Sequence, residues 1–209
     1  MSGVRVRPAG DRAVLLEPAD PEHLGSLVDR LRADPIDGVA DLLPAARTVL
    51  LTLGAGVDTD TIEKRVRAME FGGPAAGRRS DEATVTIPVH YDGPDLDAVA
   101  EFLGIDRDAV VHRHTAAVWE CAFIGFAPGF GYLRTPDSDL TVPRRDQART
   151  GVPAGSVALA GGYSAVYPRR SPGGWQLIGR TGAVLWDPER PNPALLRAGA
   201  RIRFVEAPR

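Results

Sequence analysis

Gly151-Val-Pro-Ala-Gly-Ser-Val157 and Ser171-Pro-Gly-Gly-Trp-Gln-Leu-Ile-Gly-Arg-Thr181 set short apolar runs between glycine and proline turns. Val157 to Ala160, Ser164 to Tyr167 and Trp175 to Ile178 read as short strands in this setting. Moving outward, Trp119 to Phe126, Ala183 to Trp186 and Arg201 to Val205 repeat the texture. Regularly spaced short strands joined by turn residues predict a closed or nearly closed β-barrel. The same stretches put Ser156, Gln176, Arg180 and Thr181 on backbone that glycine lets approach another molecule closely and that proline stiffens. That pattern suits a small-molecule pocket or a tight contact between protein chains.

Upstream, the texture is helical. Val85 to His90 reads as a strand. Leu96, Val99, Ala100 and Leu103 then share one helix face, with Asp95 as expected N-cap and Gly104 as terminator. A second helix is expected over Asp106 to His114. Residues 71–81 are rich in Gly and Pro without a hydrophobic period, which divides the chain into a domain over 1–72, a linker over 73–82 and a barrel domain over 83–209. The first domain reads β-β-α-β-β-α. Its strands are Val4 to Val6, Ala13 to Leu16, Val39 to Leu43 and Thr48 to Leu53. One helix presents Leu24, Leu27, Val28 and Leu31 on a single face. The other presents Ile62, Val66 and Met69, with Asp60 as expected cap and Glu63 three residues on. Two helices on one face of a small antiparallel sheet make this an α+β, ferredoxin-like unit.

The bulk composition narrows the partners. Of 209 residues, 44% are hydrophobic, enough for a real core. With 25 basic and 27 acidic residues, a formal net charge of -2 draws neither nucleic acid nor an anionic membrane. The single cysteine, Cys121, excludes an intrachain disulfide and a Cys-rich metal site, and fits a reducing cytoplasm. Met1 to Pro8 has no apolar signal-peptide core, and no apolar run approaches the roughly 18 to 20 residues of a membrane span.

Several familiar devices fail on inspection. Gly54-Ala-Gly56 follows a strand and opens a helix but lacks the third glycine of a dinucleotide loop. No Gly-x-x-x-x-Gly-Lys phosphate loop exists, since Lys64 lies inside an amphipathic helix. Ser156 is not in a Gly-x-Ser-x-Gly elbow, so hydrogen bonding at a pocket wall suits it better than nucleophilic attack. His112 and His114 would share a face on a strand and could begin a metal site. No third ligand stands out, so no metal site is expected. His114 remains a candidate general acid/base. In Phe126-Ala-Pro-Gly-Phe-Gly-Tyr-Leu133, the hydroxyl of Tyr132 makes it the aromatic expected to touch a ligand. Arg144, Arg145 and Arg149 are either solvated loop charge or a carboxylate or phosphate reader. Arg180 ends a strand, and Gln176 lies four residues earlier, on the same face by period two. The glutamine offers an amide both a donor and an acceptor.

Phe123-Ile-Gly-Phe-Ala-Pro-Gly-Phe-Gly-Tyr-Leu133, Pro143-Arg-Arg145, Val152-Pro-Ala-Gly-Ser-Val157, Tyr167-Pro168 and Ser171 to Thr181 together resemble the family of bacterial 5-oxoprolinase B subunits. Its members are also labelled allophanate hydrolase subunit 1, and some belong to the Kip group of sporulation-kinase inhibitors. The resemblance continues through Pro88-Val-His-Tyr-Asp-Gly93, His114-Thr115 and Gly199-Ala-Arg-Ile-Arg-Phe204. Where the family reads Gly-Gly-Gln-Thr-Gly-Ile-Tyr-Pro, this chain has Gly161-Gly-Tyr-Ser-Ala-Val-Tyr-Pro168.

The resemblance implies a cyclophilin-like C-terminal barrel. It also implies work with two partners, the barrel-like C and the A subunits of the enzyme, opening the 5-oxoproline lactam to glutamate with ATP. It leaves inhibition of a histidine kinase, or action on allophanate, as alternatives. Under the leading reading, His114, Arg180 and Gln176 would be catalytic. Ser156, Tyr132, Arg144, Arg145 and Thr181 would bind substrate. ATP, with Mg2+, would be shared with or supplied by a partner chain, and the chain alone would be inactive.

Overall fold

The computed structural model describes residues 3–69, 84–136 and 139–208, and the side chain of Glu22 is outside that description. The expected linker at 73–82 also lies outside it. The chain divides into two compact units, residues 1–79 and 80–209.

The first unit has strands β1 (Val4–Pro8), β2 (Ala13–Pro18), β3 (Val39–Pro44) and β4 (Val49–Leu53), with helices α1 (Leu24–Ala33) and α2 (Thr59–Ala68). The antiparallel sheet runs β1-β2-β4-β3. Burial alternates along β2 and β4, the signature of a sheet with one covered face. Val14, Leu16, Val49, Leu51 and Leu53 pack there against Leu27, Leu31, Ile62 and Val66 of the helices. Asp58, not Asp60, caps α2: its carboxylate accepts the N–H groups of Asp60 and Thr61 at 3.3 and 3.1 Å. The Thr61 hydroxyl, which also donates to it, holds the Asp58 carboxyl below its ordinary range.

The second unit contains β5 (Val85–Val89), α3 (Leu96–Leu103), α4 (Arg107–Ala116), β6 (Trp119–Ile124), β7 (Gly131–Arg134), β8 (Arg149–Val152), β9 (Ser156–Ala160), β10 (Tyr163–Val166), β11 (Ser171–Gly173), β12 (Gln176–Arg180) and β13 (Arg201–Glu206). Seven strands form one sheet in the order β12-β9-β10-β7-β6-β13-β5, and β8 pairs separately with β11. The terminal strands then meet. His90, just past β5, exchanges two main-chain hydrogen bonds with Arg180 of β12, at 2.8 and 2.9 Å. This seam makes the sheet a nearly closed barrel and occupies edges that would otherwise be unpaired. Glycine is required there, because a Cβ on Gly179 would lie 2.5 Å from the His90 carbonyl oxygen.

β9 explains the two layers of packing. Val157 and Leu159 face the barrel core with Ile87, Val89, Leu133, Val166, Ile202 and Phe204. Ala158 and Ala160 face the other way, and their small size makes room for Phe130, Tyr167 and Trp175. Cys121 is wholly buried, and burial pushes its thiol up to about 12. The expected strand Ala183 to Trp186 is only a Trp186–Ala194 bridge, because Pro188, Pro191 and Pro193 interrupt its partner. Among the described residues, no helix is long and apolar enough to cross a membrane.

Candidate functional site

The 143–149 segment joins the barrel proper to β8 without regular structure, yet it is firmly tied. The Arg145 N–H donates to the Gly174 carbonyl at 2.7 Å, and the Gln176 Nε2 donates to the Pro143 carbonyl at 3.2 Å. Since a carbonyl only accepts, this contact fixes which end of the Gln176 amide is nitrogen and leaves Oε1 to accept from something else. Beneath the segment lies Asp95, 3% exposed, at the start of α3. Its Oδ1 accepts from Arg145 Nη1 at 2.6 Å and Arg149 Nη2 at 2.7 Å, and its Oδ2 accepts the Leu177 N–H at 2.7 Å. The expected cap is therefore corrected. Asp95 occupies the N-cap position but makes no side-chain cap bond. Both carboxylate oxygens are engaged elsewhere, Oδ1 by two guanidiniums and Oδ2 by the Leu177 N–H, so neither bonds a helix N–H.

Between α3 and this segment opens a cleft of about 460 Å³, lined by Ala98, Pro143, Arg144, Arg145, Asp146, Gln147 and Gln176. Three of the expected residues, Gln176, Arg144 and Arg145, meet here. Arg144 is exposed and makes no ion pair among the described residues. Its charge is felt by Tyr132 and Tyr167, whose hydroxyls burial pushes up while Arg144 pulls them back down. Tyr132 stacks on Phe123 at 4.3 Å between ring centres and meets Phe130, Tyr163 and Trp175 edge-on. Tyr163 is thus part of an aromatic layer with Tyr132 and Phe123.

A second group gathers elsewhere. Ser156 pairs across the sheet with Arg180, and the Thr181 N–H donates to the Gly155 carbonyl at 2.8 Å. Ser156 is 6% exposed, and the Thr181 hydroxyl oxygen accepts the Ala183 N–H at 3.1 Å. The Arg180 side chain, 66% exposed, pairs with Asp92 at 2.8 Å. The common face expected for Gln176 and Arg180 is corrected. β12 carries a bulge between Leu177 and Gly179, so Gln176 pairs with Leu159 but Arg180 with Ser156. Those partners are three residues apart on β9 and project to opposite faces.

His114 is corrected as well. It sits on α4 at 0% exposure, with Nδ1 on the Tyr91 hydroxyl at 2.7 Å and Nε2 on the Ser164 hydroxyl at 2.8 Å. Its ring stacks on Phe204 at 4.3 Å. Burial drives its pKa down to about 3. Both nitrogens are occupied and no ligand can reach the ring, so it is a neutral core residue rather than an acid or base for substrate. His112 is exposed on the same helix and shares no site with it. Among the described residues, no three His, Cys, Asp or Glu side chains gather as metal ligands do. Sequence reasoning missed the part played by Asp95, because its partners lie 50 and 54 residues away and no local pattern links them.

Residues 4–196 match the family described as carboxyltransferase domain, subdomain C and D. The chain is 38% identical over 216 residues to the B subunit of 5-oxoprolinase from Escherichia coli O157:H7, covering 98% of this chain and 97% of that one. It is 24% identical over 219 residues to the urea amidolyase of Saccharomyces cerevisiae, covering 87% of this chain but 12% of that much longer one. Among solved structures it superposes on TTHA0988 with a TM-score of 0.73 at 32% identity, covering 98% of this chain and 41% of that chain.

Proposed function

The chain belongs to the carboxyltransferase subdomain C and D family and, within it, to the family of 5-oxoprolinase B subunits, and from that premise we propose that it is the B subunit of an ATP-dependent 5-oxoprolinase. With the C and A subunits of that enzyme it opens the lactam of 5-oxoproline to glutamate. The observation that carries this reading is the end-to-end relationship to the Escherichia coli protein. The finer folds go with it. The ββαββα order over one antiparallel sheet supports a ferredoxin-like first unit, and the sheet closed by the His90–Arg180 bridge supports a cyclophilin-like second. A cytoplasmic location suits an enzyme that consumes ATP.

A lactam is a poor electrophile. ATP, with Mg2+ at a site shared with a partner chain, would supply a phosphoryl group to the lactam oxygen and so activate the carbonyl carbon towards water. The C–N bond would then break, the ring nitrogen would leave as the protonated amine, and hydrolysis of the phosphorylated carboxyl would release phosphate and glutamate. This chain's own residues would position and stabilise. Gln176 Oε1 accepts the lactam N–H, and Arg144 and Arg145 supply positive charge beside the oxyanion that builds up. His114 is out of reach, so the group that moves the proton comes from a partner.

The test is reconstitution. The purified chain is expected to release no ADP from ATP, and the mixture of all three chains to release it only with 5-oxoproline. ATP hydrolysis by this chain alone would overturn the division of labour. A complex that ignores 5-oxoproline but turns over allophanate would replace the substrate.

A further inference from the structure

We propose that Arg144, Arg145 and Gln176, which line the cleft beside α3, together with Arg149, held beside Arg145 on the same Asp95 oxygen, form a binding site for a small oxyanion, either a carboxylate or a phosphoryl group. The identity of the ligand rests on the function proposed above, but the site itself does not.

Charge balance is the first argument. Two guanidiniums converge on a single carboxylate oxygen, and the other oxygen is taken by the Leu177 N–H. Asp95 sets one negative charge against two guanidiniums, so the triad keeps one uncompensated positive charge. Arg144 adds another. Asp146 lines the same cleft and, among the described residues, is the only carboxylate of that lining to oppose them. It is exposed and forms no ion pair among the described residues. Three guanidiniums against two carboxylates leave a surplus of one cation.

The second argument is hydrogen bonding. Arg145 Nε and Arg149 Nη1 are shielded from solvent and have no acceptor among the described residues. A triad built only to hold the fold would pair its charges, because an uncompensated charge that is partly out of water is costly. An anion relieves the surplus without touching those two shielded atoms. It takes outward N–H groups of the same planes, since the side chains of Arg145 and Arg149 stay 36% and 24% exposed. The planar forks of arginine suit a carboxylate or a phosphoryl group, which present two oxygens in a matching plane. Asp95 is here a positioning residue. By holding both arginines while it bonds the Leu177 N–H, it sets them next to Gln176, the first residue of β12.

The experiment is titration calorimetry of the full chain with sodium 5-oxoproline, with 2-pyrrolidinone, which is the same ring without the carboxylate, and with inorganic phosphate. We expect at least one anion to bind about tenfold more tightly than 2-pyrrolidinone. Preference for 5-oxoproline identifies a carboxylate site, and preference for phosphate a phosphoryl site. Arg149→Gln and Arg144→Gln should each weaken that binding about tenfold, Arg149→Lys less, and Arg30→Gln on α1 not at all. Arg144 is exposed and makes no ion pair among the described residues, so its variant remains informative if Arg149→Gln does not fold. Binding of no anion, or binding indifferent to both variants, overturns the site. A reconstituted complex that keeps its wild-type KM for 5-oxoproline with Arg144→Gln and Arg149→Gln overturns the site and spares the function. A complex inert to 5-oxoproline whose cleft still binds phosphate does the reverse.

Discussion

Asp92 and Asp95 stand three residues apart on one segment, each holding arginine, yet the two arrangements differ in kind. Asp92 meets Arg180 at 2.8 Å with side chains 50% and 66% exposed. Asp95 meets Arg145 and Arg149 with its own side chain 4% exposed. Water screens the first pair and offers either partner an alternative if the other is lost. The second has been taken out of water, so each member depends on the rest. Burial, rather than the presence of an ion pair, decides which of these contacts the fold and the cleft rely on.

The sharpest way to break that comparison is Asp95→Ala. It strands two guanidiniums and the Leu177 N–H together, and the expected loss is about 3 kcal/mol, the low end for a buried pair because the arginines keep some solvent. Chemical denaturation followed by tryptophan fluorescence reports it cleanly, since all three tryptophans lie in the second unit. A loss below about 1 kcal/mol would place Asp95 with the exposed pairs.

His114 extends the comparison to a buried group that is neutral. Its pKa in the folded chain is about 3, against an ordinary value of 6.5. Below pH 6.5 the unfolded chain takes up a proton that the folded chain refuses, so stability falls as pH drops through the interval from 6.5 to 3. The slope from this residue is about 1.4 kcal/mol per pH unit. His114→Gln should be less stable at neutral pH, having lost part of the Tyr91 and Ser164 contacts, but should lack that slope. Parallel acid dependence in both proteins would show that the buried imidazole does take up a proton.

The sequence made some of this legible and hid the rest for identifiable reasons. The faces of α1 and α2 and the strands around β9 are readable because periodicity and turn residues are local signals. β8 and β11 are not, since Ser171-Pro-Gly173 carries no strand signature and pairs only because β8 is brought to it. The bulge in β12 is invisible for the same reason, and it separates Gln176 from Arg180. Asp60 reads as the cap in the sequence, but it lies inside the first turn of α2, and Asp58 is the residue that precedes that turn. His114 was within reach: it follows Val110 by four residues, and on a helix those two share a face. Gln176, Arg144 and Arg145 stand out as residue types in Gly/Pro-rich surroundings. The carboxylate that organises two arginines beside them required the fold.

The smallest effect belongs to the exposed pair. Asp92→Asn leaves Arg180 free to turn into water, and the expected change in unfolding free energy is about 0.5 kcal/mol or less. The seam at this position is held by the main-chain bonds between His90 and Arg180, which need no side chain, and by the close approach that Gly179 permits. A loss above about 2 kcal/mol in the same fluorescence experiment would mean that barrel closure depends on the Asp92 side chain. Exposure would then be a poor guide to which ion pairs matter here, and the contrast with Asp95 would fail. A change too small to measure would leave the main chain alone as the barrel's clasp. Arg180→Gln should then behave in the same way, because it removes the other half of a pair that water already replaces.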